Sequence, residues 1–246
     1  MKSVFFLAGD YWHPAETIQP LVSKLFPEDE WDVLFTEDPE KFLTLGRTPD
    51  LVVSFKDPVE NNQIPTPAWC GKEWTDTLFQ AVEQHGTGAL IVHAAMADLK
   101  EDHPFIAGMV QYVFTGHPAQ CPVSFSPVKD HPVLKDVSGF TFPENDEHYM
   151  MKMLEHADSE VIAETSSLHG TQPGMWVREL GKGRICCVTP GHTTPNLTCD
   201  GYLSVLKNAK SNGSRAIISG LSDDLYEVFD ETGFTQLFDI ERRKDD

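Results

Sequence analysis

Residues 88–92 read GALIV, an unbroken apolar run that stops at a histidine, His93. So short a run suits a strand buried on both faces, because a strand with one wet face would alternate apolar and polar residues. A strand covered on both sides needs helices to cover it, and the chain supplies them in alternation. Residues 3–8 are rich in Val and Phe and predict a strand; Ile18, Leu21, Val22 and Leu25 then fall on one helical face. Residues 32–35 and 51–55 predict further strands, and Trp74, Leu78, Ala81 and Val82 give a second helical stripe. This order predicts an α/β fold with a mostly parallel sheet flanked by helices.

From Cys121 onward Pro, Gly and His become frequent. Strand-like pieces at 161–164, 175–178 and 184–188 are expected to complete or extend the same sheet, and PENDEHY at 143–149 reads as a loop. Residues 203–209 predict a helix and 215–219 a short strand. Ser222 is expected to cap a last helix with Asp223 and Asp224 in its first turn, an apolar face of Leu225, Val228 and Phe229, and Gly233 as its C-cap. The terminal ERRKDD, residues 241–246, is expected to fray.

The 246 residues suffice for one sizeable core but not for two full-sized domains. With 19 Lys and Arg against 38 Asp and Glu, the net charge of −19 repels nucleic acid and anionic membranes, so neither is an expected partner. No stretch approaches the roughly 18–20 apolar residues of a membrane span. The N-terminus lacks a small-residue cleavage site, so no signal peptide is expected. Five cysteines, an odd number without framework spacing, fit a reducing compartment. The expected setting is cytoplasmic.

Ligands of open α/β sheets bind beyond the carboxyl ends of the strands. The polar residues placed there are Asp10 and His13 after the first strand (GDYWHP), His93 after the central run (LIVHAAMA) and His192 after the late strand (CCVTPGHTT). Imidazoles serve near neutral pH as bases or as metal ligands. A histidine at a strand end is also often a hydrogen-bonded structural residue, and for His13 that reading weighs at least as much. His117, in GHP, and Glu147, His148 and Tyr149, in DEHY, join the candidates, with loop chemistry as their plain alternative. The chain has no GxGxxG, no GxxxxGK[ST], no GxSxG and no HExxH or CxxC pair, so nucleotide binding, a serine elbow and the standard zinc spacings all lack support. Cys186 and Cys187 lie inside a predicted strand, where packing is their expected role.

Four segments in order, LIVHAA at 90–95, GHP at 116–118, DEHY at 146–149 and GKGRICCVTPGHT at 181–193, with Trp176 ahead of the last, resemble the ThuA-like family named for trehalose utilisation. The resemblance covers roughly residues 1–210. It implies a flavodoxin-like sheet similar to that of class I glutamine amidotransferases. In those relatives the strand-to-helix elbow holds a catalytic Cys and a later strand ends in the catalytic His. His93 stands at the elbow here and His192 at the later position, so attack by Cys is not available. The approach HGTGALIV departs from the glycine run of many members. Residues 211–246, within a stretch beginning near Tyr202, resemble the second half of a STAS domain, without its first strands and without a matching phosphorylatable Ser.

These readings lead to a sugar-processing enzyme without a redox cofactor. His93, His192, Asp10 and Glu147 are its expected catalytic groups. His13, Trp12, His117, His148, Tyr149 and Thr193 are its expected contacts with a small sugar. The first alternative is a divalent metal held by three or more of His13, His93, His117, His148, Glu147 and His192. The second is a non-catalytic binding or regulatory module working through the tail. Homo-oligomerisation stays open.

Overall fold

The computed structural model describes residues 1–213, 217–222, 226–228 and 239–242. The chain divides into two compact units, Met1–Gly213 and Ser214–Asp246.

In the first unit, β1 (Lys2–Leu7), β2 (Trp31–Thr36), β3 (Leu51–Ser54), β4 (Gly88–Val92) and β11 (Gly183–Val188) run parallel in the order β2-β1-β3-β4-β11. This is the flavodoxin-like order, which reverses direction between β1 and β3 and opens a crevice there. The late strands extend the same sheet, as expected, but in antiparallel fashion. β10 (Gly170–Leu180) lies on β11, followed by β9 (Glu160–Ser167), β6 (Ser124–Pro127) and β7 (Phe140–Thr141). β10 and β11 are joined by the tight turn Gly181–Lys182, and strands joined that closely can only be antiparallel. A separate antiparallel pair, β5 (Tyr112–Gly116) with β8 (Met150–Met153), has no strand pattern in the sequence to announce it.

Alternate residues of the parallel strands feed two apolar layers. Val4, Phe6, Leu51, Val53, Leu90, Val92, Cys186 and Val188 pack on one face with α1 (Ala15–Leu25) and α5 (Asp200–Gly213). Phe5, Leu7, Val52, Ala89, Ile91, Ile185 and Cys187 pack on the other with α2 (Glu40–Leu43) and α3 (Lys72–His85). Adjacent Cys186 and Cys187 therefore point to opposite faces, and all five cysteines are free thiols. Trp176 is a core residue whose indole N–H donates to Val110 O at 2.8 Å. Burying each such large side chain contributes roughly 1.5–3 kcal/mol.

Register aligns the strand exits. Leu7 pairs with Ser54, Ser54 with Ile91, and Val92 with Val188. Whatever follows those residues emerges along one edge.

In the second unit, β12 (Ile217–Leu221) pairs in parallel with β13 (Asp239–Arg242). Glu241 and Arg242 thus belong to a strand where fraying was expected. The Tyr226 N–H donates to Ser222 O at 2.9 Å, at the start of the helical residues 226–228. The expected roles of Arg215, Asp223, Asp224, Leu225, Phe229 and Gly233 fall outside the described residues.

Candidate metal and active site

Three strand exits turn sharply into the crevice. Gly9 (φ +97°) precedes Asp10, and Gly191 (φ +123°) precedes His192. Both backbones lie where L side chains are strained, which is why glycine stands at each. His93 itself adopts φ +50° without being glycine. A non-glycine residue held there marks a position fixed by its surroundings.

The Asp10 carboxylate organises the first loop. Its Oδ1 accepts the N–H groups of Trp12 (2.9 Å) and His13 (2.8 Å) and lies 3.1 Å from His13 Nδ1; its Oδ2 accepts the Asp57 N–H at 2.9 Å. Nδ1–H of His13 donates to that carboxylate, which leaves Nε2 with a lone pair. His93 is fixed in the same sense: Nδ1–H donates to Thr189 O at 2.8 Å, and the ring stacks on Tyr149 with centroids 4.4 Å apart. In the neutral ring its Nε2 carries the lone pair.

These two atoms converge on His192 Nδ1, at 2.9 Å from His13 Nε2 and 3.4 Å from His93 Nε2. Glu147 Oε2 closes the group, 3.5 Å from His93 Nε2 and 3.4 Å from His192 Nδ1. All four ligand atoms lie within 4.8 Å of one another. Tetrahedral zinc with bonds of about 2.0–2.1 Å has edges of roughly 3.3 Å. Four of the six edges match to within about half an ångström and the other two lie within 4.8 Å, so the donor set suits a divalent first-row cation once the longer edges draw in.

A second carboxylate positions two of the four. Asp146, fully buried, accepts Glu147 N–H (2.8 Å) and His192 N–H (3.2 Å) on Oδ1, and Gly191 N–H (3.1 Å) and the Asn196 amide (2.9 Å) on Oδ2. Nothing in the sequence pattern singles out Asp146 for this role.

Electrostatics follow from this packing. Burial raises the Glu147 carboxyl, but its contacts with His192 and His93 outweigh that and hold it well below the usual carboxylate range. Burial lowers His93, yet Glu147 and Asp146 more than compensate and its value is raised. Burial lowers His13 further than Asp10 can restore, with His93 and His192 adding to the fall. Burial opposes ionisation of Asp10, but the donors from His13 and Asp57 prevail and its value is lowered. Asp57, absent from the sequence-based candidates, is a buried carboxyl pushed up to about 8, first by burial and then by Asp98 and Asp10. Its signal was its place just beyond β3 on the same sheet edge.

The other candidates separate. His117 is about one-third exposed at the rim, with Nε2 3.7 Å from Glu147 Oε1 and Nδ1–H donating to Pro118 O at 2.8 Å. His148 is buried but engaged elsewhere, with Nε2 3.2 Å from Thr165 O and Nδ1 2.7 Å from Ser167 Oγ. Thr193 caps the short helix α4 (Thr194–Leu197), its side chain accepting the Asn196 N–H at 3.4 Å. Trp12 lies beside Asp10 and His13 and is exposed.

A family model described as ThuA, trehalose utilisation, matches residues 4–211. A search of curated proteins finds no match. Among solved structures the chain is similar to a ThuA-like protein from Bacteroides uniformis ATCC 8492, 18% identical, with a TM-score of 0.66 over 85% of this chain and 89% of that one. It is also similar to a ThuA-like protein from Parabacteroides merdae ATCC 43184, 16% identical, TM-score 0.67, over 86% and 89%. A cytoplasmic protein from Salmonella typhimurium LT2 is 14% identical, TM-score 0.54, over 87% and 100%. At these identities the likeness speaks for the fold. Among the described residues no helix is long and apolar enough to cross a membrane. With the family model covering this much of the sequence, the chain belongs to the ThuA family, the family of trehalose utilisation.

Proposed function

We propose that this protein is a divalent-metal-dependent enzyme of carbohydrate metabolism, performing non-redox chemistry on a small sugar or sugar derivative. The observation that carries the reading is the convergence of four ligand atoms, His13 Nε2, His93 Nε2, His192 Nδ1 and Glu147 Oε2, within 4.8 Å of one another. A cation satisfies all four at once. Asp10 and the Thr189 carbonyl act as the outer partners that fix two of the ring orientations. The His192 and Glu147 side chains are slightly exposed, so the cluster meets solvent, and His117 stands beside Glu147. A bound cation would supply Lewis-acid polarisation of a sugar carbonyl or hydroxyl oxygen. His117 stands within reach of Glu147 at the rim, and Asp57 holds a proton at neutral pH beside the cluster.

Elemental analysis of protein purified without chelator tests this. About one zinc, manganese or similar ion per chain is expected, lost in His93→Ala. Protein that carries none and takes none up sinks the reading.

A metal-free acid–base pair is the second reading. It is supported by the ionised Glu147 lying between His93 and His192, an arrangement that can pass one proton among three groups. General acid–base catalysis of this kind is worth ~10²–10⁴-fold, which His93→Ala or His192→Ala would remove. The sugar ligand and a cytoplasmic setting belong to the same proposal, the latter supported by the free thiols. So does the assignment of residues 1–210 to the ThuA-like part, which the family match over residues 4–211 supports, and of 211–246 to a partial STAS-like tail.

A further inference from the structure

The loop that delivers Asp10 and His13 into the crevice carries two large aromatic side chains between them, Tyr11 and Trp12, which are 55% and 40% exposed. Single exposed aromatics are ordinary, but two adjoining ones on the loop between two residues of the site need a reason. The rings meet edge to face, centroids 4.9 Å apart and planes at 88°. Such a pair forms a right-angled corner: one edge covers one face, and the other ring faces stay available.

The corner is held in place. The Trp12 N–H is bound by Asp10, the indole N–H donates to Asn62 Oδ1 at 3.3 Å, and the Asn62 amide donates to Asp98 Oδ2 at 2.6 Å. The Tyr11 N–H donates to Glu60 O at 3.2 Å. An exposed surface fixed this way before its ligand arrives loses little freedom on binding.

Charge narrows the ligand. Four carboxylates, Asp10, Glu60, Asp98 and Glu147, gather around the strand ends. Among the described residues no Lys or Arg pairs with the four-atom cluster, and the Lys56 ammonium is taken by Gly9 O and Glu60. The four carboxylates outnumber the one charge of Lys56 and the two of a divalent cation in the cluster, so a phosphate or carboxylate on the ligand would find net repulsion. A pyranose offers what this surface takes: an apolar C–H face for the rings, and hydroxyls that donate to carboxylates and to the Asn62 side chain.

We propose that Tyr11 and Trp12 form a stacking subsite for a neutral, unphosphorylated pyranose ring, selecting such sugars over sugar phosphates and sugar acids. The proposal deepens, and rests on, the reading of the crevice as a carbohydrate site.

The test is titration calorimetry on the full chain as purified, with trehalose, methyl α-D-glucopyranoside, trehalose 6-phosphate and glucuronate as probes. Metal content is measured on the same samples. Trp12→Ala is expected to weaken trehalose binding about tenfold, and Trp12→Phe much less, with metal content unchanged in both. The two anionic probes are expected to bind at least tenfold more weakly than the neutral ones. Trehalose binding indifferent to Trp12→Ala, tighter binding of the phosphorylated sugar, or no binding of either neutral sugar overturns the subsite. If Trp12→Ala loses its fold, saturation-transfer NMR on the wild type decides, because stacking requires transfer from aromatic protons to the pyranose C–H face. Trp12-dependent trehalose binding to protein free of metal would remove the metal reading and leave the subsite standing. Bound metal with Trp12-independent binding would do the reverse.

Discussion

Asp146 holds the His192 backbone: its Oδ1 accepts that N–H at 3.2 Å and, with the same atom, the N–H of Glu147 at 2.8 Å. One carboxylate thus sets the distance between two members of the cluster that lie on different loops. Asp146→Asn keeps the size but turns an acceptor into a donor facing N–H groups. The expected outcome is a 10- to 100-fold loss of metal affinity, with a stability loss of about 1–3 kcal/mol. Metal competition titration and denaturant unfolding check the two separately. Unchanged affinity would show that Asp146 has no positioning role.

The conformation of His93 permits a test by inversion of the usual rule. Alanine normally stabilises relative to glycine, yet at φ +50° a Cβ is strained. Both His93→Ala and His93→Gly should lose the metal. The glycine variant should be the more stable of the two by about 1 kcal/mol. The reverse order in urea unfolding would mean the left-handed backbone is not retained.

Metal uptake should depend on pH through His93. Its raised value means that the metal-free fold keeps this proton above the ordinary 6.5. That proton stabilises the metal-free fold fully below 6.5, and the contribution is lost as pH rises through the raised value. His13, with its lowered value, and the ionised Glu147 have no proton to surrender near neutrality. Apparent affinity should therefore climb about tenfold per pH unit below the raised value and level off above it, with about one proton released per ion. A flat profile from pH 5.5 to 8.5 would remove His93 from the ligand set.

Removing the ion should lower thermal stability by mass action. Zinc at a thousandfold excess over its Kd adds about 4 kcal/mol, or a Tm rise of about 10 °C in a chain of this size. Differential scanning fluorimetry with and without chelator reads it. His148→Ala, whose ring is engaged by Thr165 and Ser167, should leave that rise intact while lowering the baseline Tm.

Much of this site is legible in the sequence, because strand ends are. The run GALIV points at His93, and the parallel alternation places His13 and His192 on the same edge. The segment DEHY is harder. In extended chain, neighbours face opposite sides, so Glu147 and Tyr149 reach His93 while Asp146 and His148 turn away. Four adjacent polar residues conceal that alternation. The left-handed backbone at His93 is hidden too, since nothing in HAAM requires it; only the packing of the crevice does. The antiparallel half is readable as strands but not as a sheet order, because pairing depends on turns whose geometry composition does not specify.

The four ligand atoms come from residues 13, 93, 147 and 192, and two that touch, His13 and His192, are 179 positions apart. The consequence is one of timing. No fragment emerging during synthesis can assemble the cluster until β11 has been made and inserted beside β4, so a cation at the proposed site could not guide early folding. It could only close a fold already built. Once bound, it ties the first strand exit to the last, and unfolding from either end must break that tie before the parallel sheet can open.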